Sequence, residues 1–263
     1  MTIIGQDKVI KFIDSNNIST IPRTIMLEGS YGSGKHSICQ YISNSYGIEI
    51  EDISDNLTYE KIEQITFTVE PRLYIIDTNN ITVKNENAIL KFLEEPLKNA
   101  LIVLLTENKY SLLDTIINRC HLITLNKYKQ EVLEQFITDN SNRDMLLKIC
   151  TTPGDIISMQ DNSLPDMLNL CNKIFDSIHK ATYANALTIS DKMAYKNEKD
   201  KYNFKLFFKL LNIVAFDRYC SNVSSVEDYK LTNEYYNRLS IKNIDKKMLF
   251  ENYLLKLKNL RRA

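Results

Sequence analysis

Gly29-Ser30-Tyr31-Gly32-Ser33-Gly34-Lys35-His36-Ser37 is the stretch on which the fold turns. It follows a short apolar run, Thr24-Ile25-Met26-Leu27, and precedes a segment of helical character, Ser37 to Tyr46. Strand, glycine loop, lysine and helix, in that order, are the context of a phosphate-binding loop. The glycines let the backbone curl so that successive N–H groups face phosphate oxygens, and the helix adds its positive N-terminal end. Gly29, Gly32, Ser33, Gly34, Lys35, His36 and Ser37 are therefore the candidate nucleotide-binding residues. Lys35 is the group that would sit between the outer phosphates.

One position departs from the pattern. G-x-x-x-x-G-K-[ST] places a hydroxyl after the lysine, where it ligates magnesium; this chain has His36. Magnesium prefers oxygen in a near-octahedral shell, and imidazole is a bulkier, poorer ligand for it. Ser37 carries a hydroxyl, but one residue further along a helix turns it about 100° away. The loop is expected to cradle phosphate without its usual metal site.

Working outward, the next apolar run is Arg72-Leu73-Tyr74-Ile75-Ile76-Asp77. A buried strand ending in Asp is the second half of a nucleotide site, the carboxylate holding the magnesium shell; the plainer reading is a strand that ends in a turn-forming Asp. Asp77 joins the candidate residues. Thr78 follows it, and a threonine hydroxyl is a feeble base near neutral pH. Further strands are expected at Ile48–Ile50, Ala100–Thr106 and His121–Leu125. Helices are expected at Gly5–Asn16, within Asp52–Thr68, at Asn85–Glu95 with Pro96 ending it, and at Leu112–Arg119. Strands alternating with helices predict an α/β fold with a parallel sheet covered on both faces.

Beyond Lys127 the periodicity is helical. Gln130–Phe136, Asn142–Cys150 and Gly154–Met159 form a small helical unit, followed by longer helices at Leu164–Lys180, Asn203–Cys220, Asp228–Leu239 and Asp245–Leu260. Asn197–Tyr202 is the most polar candidate for an exposed connection. The expected domains are 1–126 (α/β), 127–162 (small helical) and 163–263 (all-α).

Across the 263 residues, 33 Lys and Arg balance 33 Asp and Glu, so no global field points to nucleic acid or membrane. The balance is uneven: from Lys180 onward 17 Lys and Arg face 9 Asp and Glu, about +8. That basic face is either a nucleic-acid contact or a solvated helical surface. No apolar run is long enough to span a membrane, and Met1–Gln6 has no signal pattern, so a cytoplasmic protein is expected. Cys39, Cys120, Cys150, Cys171 and Cys220 lie scattered without a C-x-x-C pair, as buried thiols rather than a disulfide frame or a zinc site.

Read together, these segments resemble the AAA+ clamp-loader subunits of bacterial DNA polymerase III. The matches are Ile4-Gly5-Gln6, the glycine loop, Ile75-Ile76-Asp77, Ala88-Ile89-Leu90-Lys91-Phe92-Leu93-Glu94-Glu95-Pro96, and Leu112 to Cys120 with Asn118-Arg119-Cys120 at its end. The resemblance covers about 120 residues and is greatest to the delta-prime type, which is related to gamma and tau. It implies an AAA+ domain, a helical lid and a helical collar that oligomerises. The hydrolysing members carry Thr after the loop lysine, Glu after the strand Asp and Arg after the lid Pro-Gly; here these are His36, Thr78 and Asp155. The family's zinc-binding cysteines are missing too. Arg119 is kept, and the resemblance implies that it is an arginine finger, reaching a neighbour's transferring phosphate in trans.

The implied function is a non-hydrolysing subunit of a DNA replication complex, with weak binding of ATP or ADP, no reliable Mg2+ site and no zinc. The implied partners are gamma/tau-like ATPase subunits, a delta-like subunit, the sliding clamp and primer-template DNA, with no membrane. The alternative is an active, gamma-like ATPase with an atypical loop, in which Ser37 or His36 helps to hold the metal and Glu107 orients water.

Overall fold

The computed structural model describes all residues except 1–2, 67–68, 79–80, 82, 95–99, 162–163, 179, 181, 184–187, 189–200, 240–243 and 261–263. The chain divides into two compact units. The first is Met1–Phe136 with Thr151–Gly154, and the second is Ile137–Cys150 with Asp155–Ala263.

The first unit is built on five parallel strands: β1 (Thr24–Glu28), β2 (Glu49–Asp52), β3 (Arg72–Asp77), β4 (Ala100–Thr106) and β5 (His121–Thr124). Their order across the sheet is β2-β3-β4-β1-β5. Every pairing is parallel, so each connection must carry the chain back to the opposite edge. Helices do this: α2 (Lys35–Tyr46), α3 (Tyr59–Thr66), α4 (Val83–Glu94) and α5 (Asp114–Ile117), with α1 (Asp7–Asp14) preceding β1.

The strand sequences show why both faces are covered. Every residue of β4 is buried. Met26, Tyr74, Ile76, Ile102 and Leu104 enter one core with Ile62, Ile65, Ile89 and Phe92 from α3 and α4. Their alternates Ile25, Leu27, Leu73, Ile75, Leu101, Val103 and Leu105 enter the other, with Val9 and Ile13 of α1 and Ile38 and Ile42 of α2. The two-residue period thus divides one apolar run between two cores. Each fully buried Leu or Ile contributes about 1.5–3 kcal/mol. The edge strands β2 and β5 are shorter and partly exposed.

The later helices are α6 (Gln130–Leu133), α7 (Arg143–Ile149), α8 (Pro153–Asp161), α9 (Leu164–Ser177), α10 (Lys201–Cys220), α11 (Val226–Arg238) and α12 (Lys246–Asn259). In the second unit α10 packs on α7, α9 and α11, and α11 on α12. Phe204, Phe207 and Phe208 of α10 meet Phe250 of α12 with ring centroids 5.5–5.9 Å apart. The Thr232 and Tyr253 hydroxyls satisfy each other at 3.0 Å within the buried interior.

Several expected boundaries shift for physical reasons. α2 begins at Lys35 because Gly34, at φ 90°, starts the helix directly from the loop. α11 begins at Val226 because Ser225 and Asp228 form a reciprocal capping box. The expected connection Asn197–Tyr202 is corrected at its end: Lys201 and Tyr202 open α10, while 197–200 lie outside the described residues. The Pro96 stop signal also lies outside them; α4 is described to Glu94. Cys39, Cys150 and Cys171 are buried, but Cys120 is only partly so and Cys220 is exposed, against the expectation of uniformly buried thiols.

Candidate functional site

The glycine loop leaves β1 at the C-terminal edge of the sheet. Glu28 pairs in register with Thr106, and the Gly29 N–H donates to the Thr106 carbonyl at 3.0 Å. The loop therefore lies where the strand order reverses, between β4 and β5. This crevice beyond the carboxyl ends of strands is where open α/β sheets bind ligands.

Carbonyl fixing shapes the loop. Gly32 and Gly34 adopt φ 71° and 90°, the left-handed region that favours glycine. The Ser33 N–H closes a turn onto the Ser30 carbonyl at 3.2 Å. Lys35, buried, folds back so that Nζ donates to the carbonyls of Gly29 at 2.5 Å and Ser30 at 3.1 Å. The Gly154 N–H donates to the Gly32 carbonyl at 3.0 Å. A Cβ on Gly154 would stand 2.4 Å from the Gly32 Cα, so Pro153-Gly154 backs directly onto the loop.

Tyr128 supplies the remaining tie, which the sequence reading did not single out. Its hydroxyl donates to the Ser33 carbonyl at 2.9 Å. Its ring lies against Gly5, where a Cβ would be 2.9 Å from Cε1. Gly5 is at φ 82° and Gln6 is buried. The Gln6 amide clips the backbone of Asn126, Nε2 donating to its carbonyl and Oε1 accepting its N–H, both at 2.9 Å. The Ile4-Gly5-Gln6 box thus holds 126–128 against the sheet, and Tyr128 carries that support to the loop. No spacing rule connects a tyrosine to a loop 95 residues earlier.

The remaining expected site residues are spread around this edge of the sheet and the start of α8. His36 is exposed on the first turn of α2 and Ser37 is half-buried. Asp77 ends β3 one strand beyond β4; its N–H donates to Ser54 Oγ at 2.8 Å. Thr78 is buried, and its hydroxyl donates to the Leu105 carbonyl at 2.9 Å. The hydroxyl is thus tied to the backbone of β4, and a neutral threonine hydroxyl is in any case a feeble base near neutral pH. Glu107 follows β4 and is half-buried. Asp155 is buried at the start of α8; burial first and then its charge raise the Cys150 pKa, while burial lowers that of Lys209 and the Asp155 charge opposes the lowering. The loop, with Gly32 and Gly34 in the left-handed region, fits a phosphate group; the His36 imidazole does not fit the hydroxyl position of a magnesium site.

Arg119 stands at the other end of the sheet. It follows α5 and precedes β5, whose first residue His121 pairs with Ile25 near the start of β1. The Arg119 carbonyl accepts from Thr24 Oγ1 at 2.6 Å. Thr24 opens β1 and Glu28 closes it; at about 3.3 Å per residue the edges are ~13 Å apart. The Arg119 guanidinium is half-exposed, with Nη2 on Glu94 Oε1 and Nη1 on the Thr115 carbonyl, both at 2.9 Å.

Burial raises the thiol pKa of Cys39, Cys120 and Cys150. Burial, followed by the charge of Asp52, pushes Cys39 up to about 12. Burial pushes Cys120 to about 12; burial and then Asp155 do the same to Cys150.

The sequence and the fold of this chain each have known counterparts. The family described as DNA polymerase III, delta subunit, matches residues 33–129. The DNA polymerase III subunit delta-prime of Bacillus subtilis (strain 168) is 32% identical over 103 residues. Over this stretch the chain is similar to the delta and delta-prime subunits of DNA polymerase III. The aligned stretch covers 39% of this chain and about a third (31%) of that relative's length. At the level of fold, a DNA polymerase III gamma subunit-related protein of Thermotoga maritima superposes with a TM-score of 0.51 at 18% identity, covering 97% of this chain and 99% of that one. The AAA+ clamp-loader-like α/β architecture expected from the sequence is therefore present. Among the described residues no helix is long and apolar enough to cross a membrane.

Proposed function

We propose that the chain is a clamp-loader subunit that does not hydrolyse ATP and that supplies Arg119 in trans to an ATP site on a neighbouring subunit. The observation that carries this reading is the position of Arg119. It lies at the edge of the sheet opposite the chain's own glycine loop, tied to Thr24 at the start of β1. From there the guanidinium serves a different molecule, where it would stabilise charge on a transferring phosphate. The committed Thr78 hydroxyl and the exposed His36 support the loss of the chain's own turnover.

In this reading residues 127–162 act as lid and 163–263 as a collar that joins gamma/tau-like ATPase subunits and a delta-like subunit. The assembly opens a sliding clamp and places it on primer-template DNA in the cytoplasm. DNA is met through Lys and Arg on its backbone, so that contact weakens with salt. The glycine loop binds ATP or ADP weakly, through backbone N–H groups and Lys35.

The test is steady-state ATP turnover by the purified full chain, together with a calorimetric nucleotide titration. Turnover at background and weak heats are expected. Turnover that Lys35→Ala abolishes would overturn the non-hydrolysing reading. A titration silent up to millimolar nucleotide would overturn weak binding.

A further inference from the structure

The sequence holds two signature segments, the helix running to Leu93-Glu94 and the turn ending at Asn118-Arg119-Cys120, and the proposed function uses only the second. The two meet at one ion pair. Glu94 is the last residue of α4, which carries the chain from the C-terminal end of β3 back to the edge where β4 begins. That is the edge on which Arg119 lies. Glu94 Oε1 accepts from Arg119 Nη2 at 2.9 Å.

Arg119 is held at four points. Its N–H donates to the Ile116 carbonyl at 3.1 Å, and its carbonyl accepts from Thr24 at 2.6 Å. Its guanidinium is fixed by the Thr115 carbonyl on Nη1 and by Glu94 on Nη2. A guanidinium carries five N–H donors in one rigid plane. Among the described residues two are used, and the side chain is 37% exposed, open to an anion presented from outside. Of these two contacts, the one from Glu94 is made by a side chain.

We propose that Glu94 is a positioning residue for Arg119. This rests on the reading of Arg119 as a trans-acting arginine. Glu94 touches neither nucleotide nor phosphate; it orients the guanidinium plane before the neighbour docks, so that less rotamer freedom is lost when the interface forms. The role needs an acceptor at Oε1 more than it needs a charge, which separates glutamine from alanine at this position.

The experiment is ATP turnover by a loader reconstituted from the full chain and its ATPase subunits, with clamp and primed DNA, read as kcat and KM separately. Glu94→Ala is expected to lower kcat by at least about five-fold with KM unchanged. Glu94→Gln keeps the acceptor and is expected to stay within about two-fold of wild type. On an Arg119→Ala background, Glu94→Ala is expected to have no further effect, because the residue acts through the arginine. Thermal melting of the exposed-site variants checks that they fold. If Arg119→Ala lowers turnover but Glu94→Ala leaves kcat unchanged, raises it, or adds its full loss on the Arg119→Ala background, the positioning role is overturned and the trans-acting arginine stands. If Arg119→Ala itself leaves turnover unchanged, the reading of Arg119 fails, and this role with it.

Discussion

Thr24 and Arg119 are joined across the N-terminal edge of the sheet, the threonine hydroxyl donating to the arginine carbonyl at 2.6 Å. This bond ties the arginine-bearing turn to the start of the strand whose far end carries the glycine loop. Thr24→Val keeps the β-branched shape and removes the donor. It is expected to lower the unfolding free energy by about 0.5–1 kcal/mol, read by urea denaturation with an unchanged slope. A loss above about 3 kcal/mol would mean that the hydroxyl does more than hold this turn.

Thr78 tests the proposed absence of turnover at the chain's own loop from the inside. Its buried hydroxyl donates to Leu105 on β4. Thr78→Val leaves that carbonyl buried without this donor and is expected to destabilise by about 1–3 kcal/mol. Turnover of the assembled loader should stay at the wild-type level, since the hydroxyl has no part in proton transfer. A turnover loss larger than the loss of folded protein would assign it a chemical role.

Gly154 tests the support behind the loop. A Cβ there would meet backbone, the Gly32 Cα at 2.4 Å, not the tip of a flexible side chain. Gly154→Ala must therefore displace either the loop or the start of α8, at about 1–3 kcal/mol. Hydrogen exchange should show faster amides across 29–36, with the β4 amides unchanged. Unchanged exchange in the loop would mean that Pro153-Gly154 does not hold it.

Much of this architecture is legible in the sequence, because its signals are local. β3, β4 and the glycine loop are read from continuous apolar runs and from glycines at fixed offsets, and they fold where those signals place them. The capping box at Ser225 and Asp228 is equally local and would have moved the start of α11 to Val226. Long-range contacts are not legible in that way. Tyr128 on Ser33, Gln6 on Asn126 and Gly154 on Gly32 each join residues about a hundred positions apart, and nothing in their spacing marks them. Asp155 shows a related limit. Its residue type suggests repulsion of a triphosphate, whereas the folded chain buries it within the fields of Lys209 and Cys150.

Glu51 gives the first unit a defined acid sensitivity. It joins β2 to Lys61 of α3 at 2.6 Å and to Arg72 of β3 at 2.9 Å. Lys61 first, then Arg72, hold its carboxyl below the ordinary range. A carboxylate lowered by folding contributes stability above its unfolded pKa, near 4.3, and that contribution is lost as the pH falls through the depressed folded value. Glu51→Gln should therefore melt lower than wild type at pH 7 and converge with it below about pH 4. A constant difference in Tm across that window would contradict the linkage.

The most direct measurement is ATP turnover by the loader reconstituted with clamp and primed DNA, comparing Arg119→Ala with Lys35→Ala in this chain alone. On the trans-acting reading of Arg119, Arg119→Ala lowers turnover by about 10³-fold or more, the scale of an arginine supplied in trans, while Lys35→Ala leaves turnover per folded complex unchanged. A damaging Lys35→Ala beside a harmless Arg119→Ala would contradict it, and would make this chain's own glycine loop the working site.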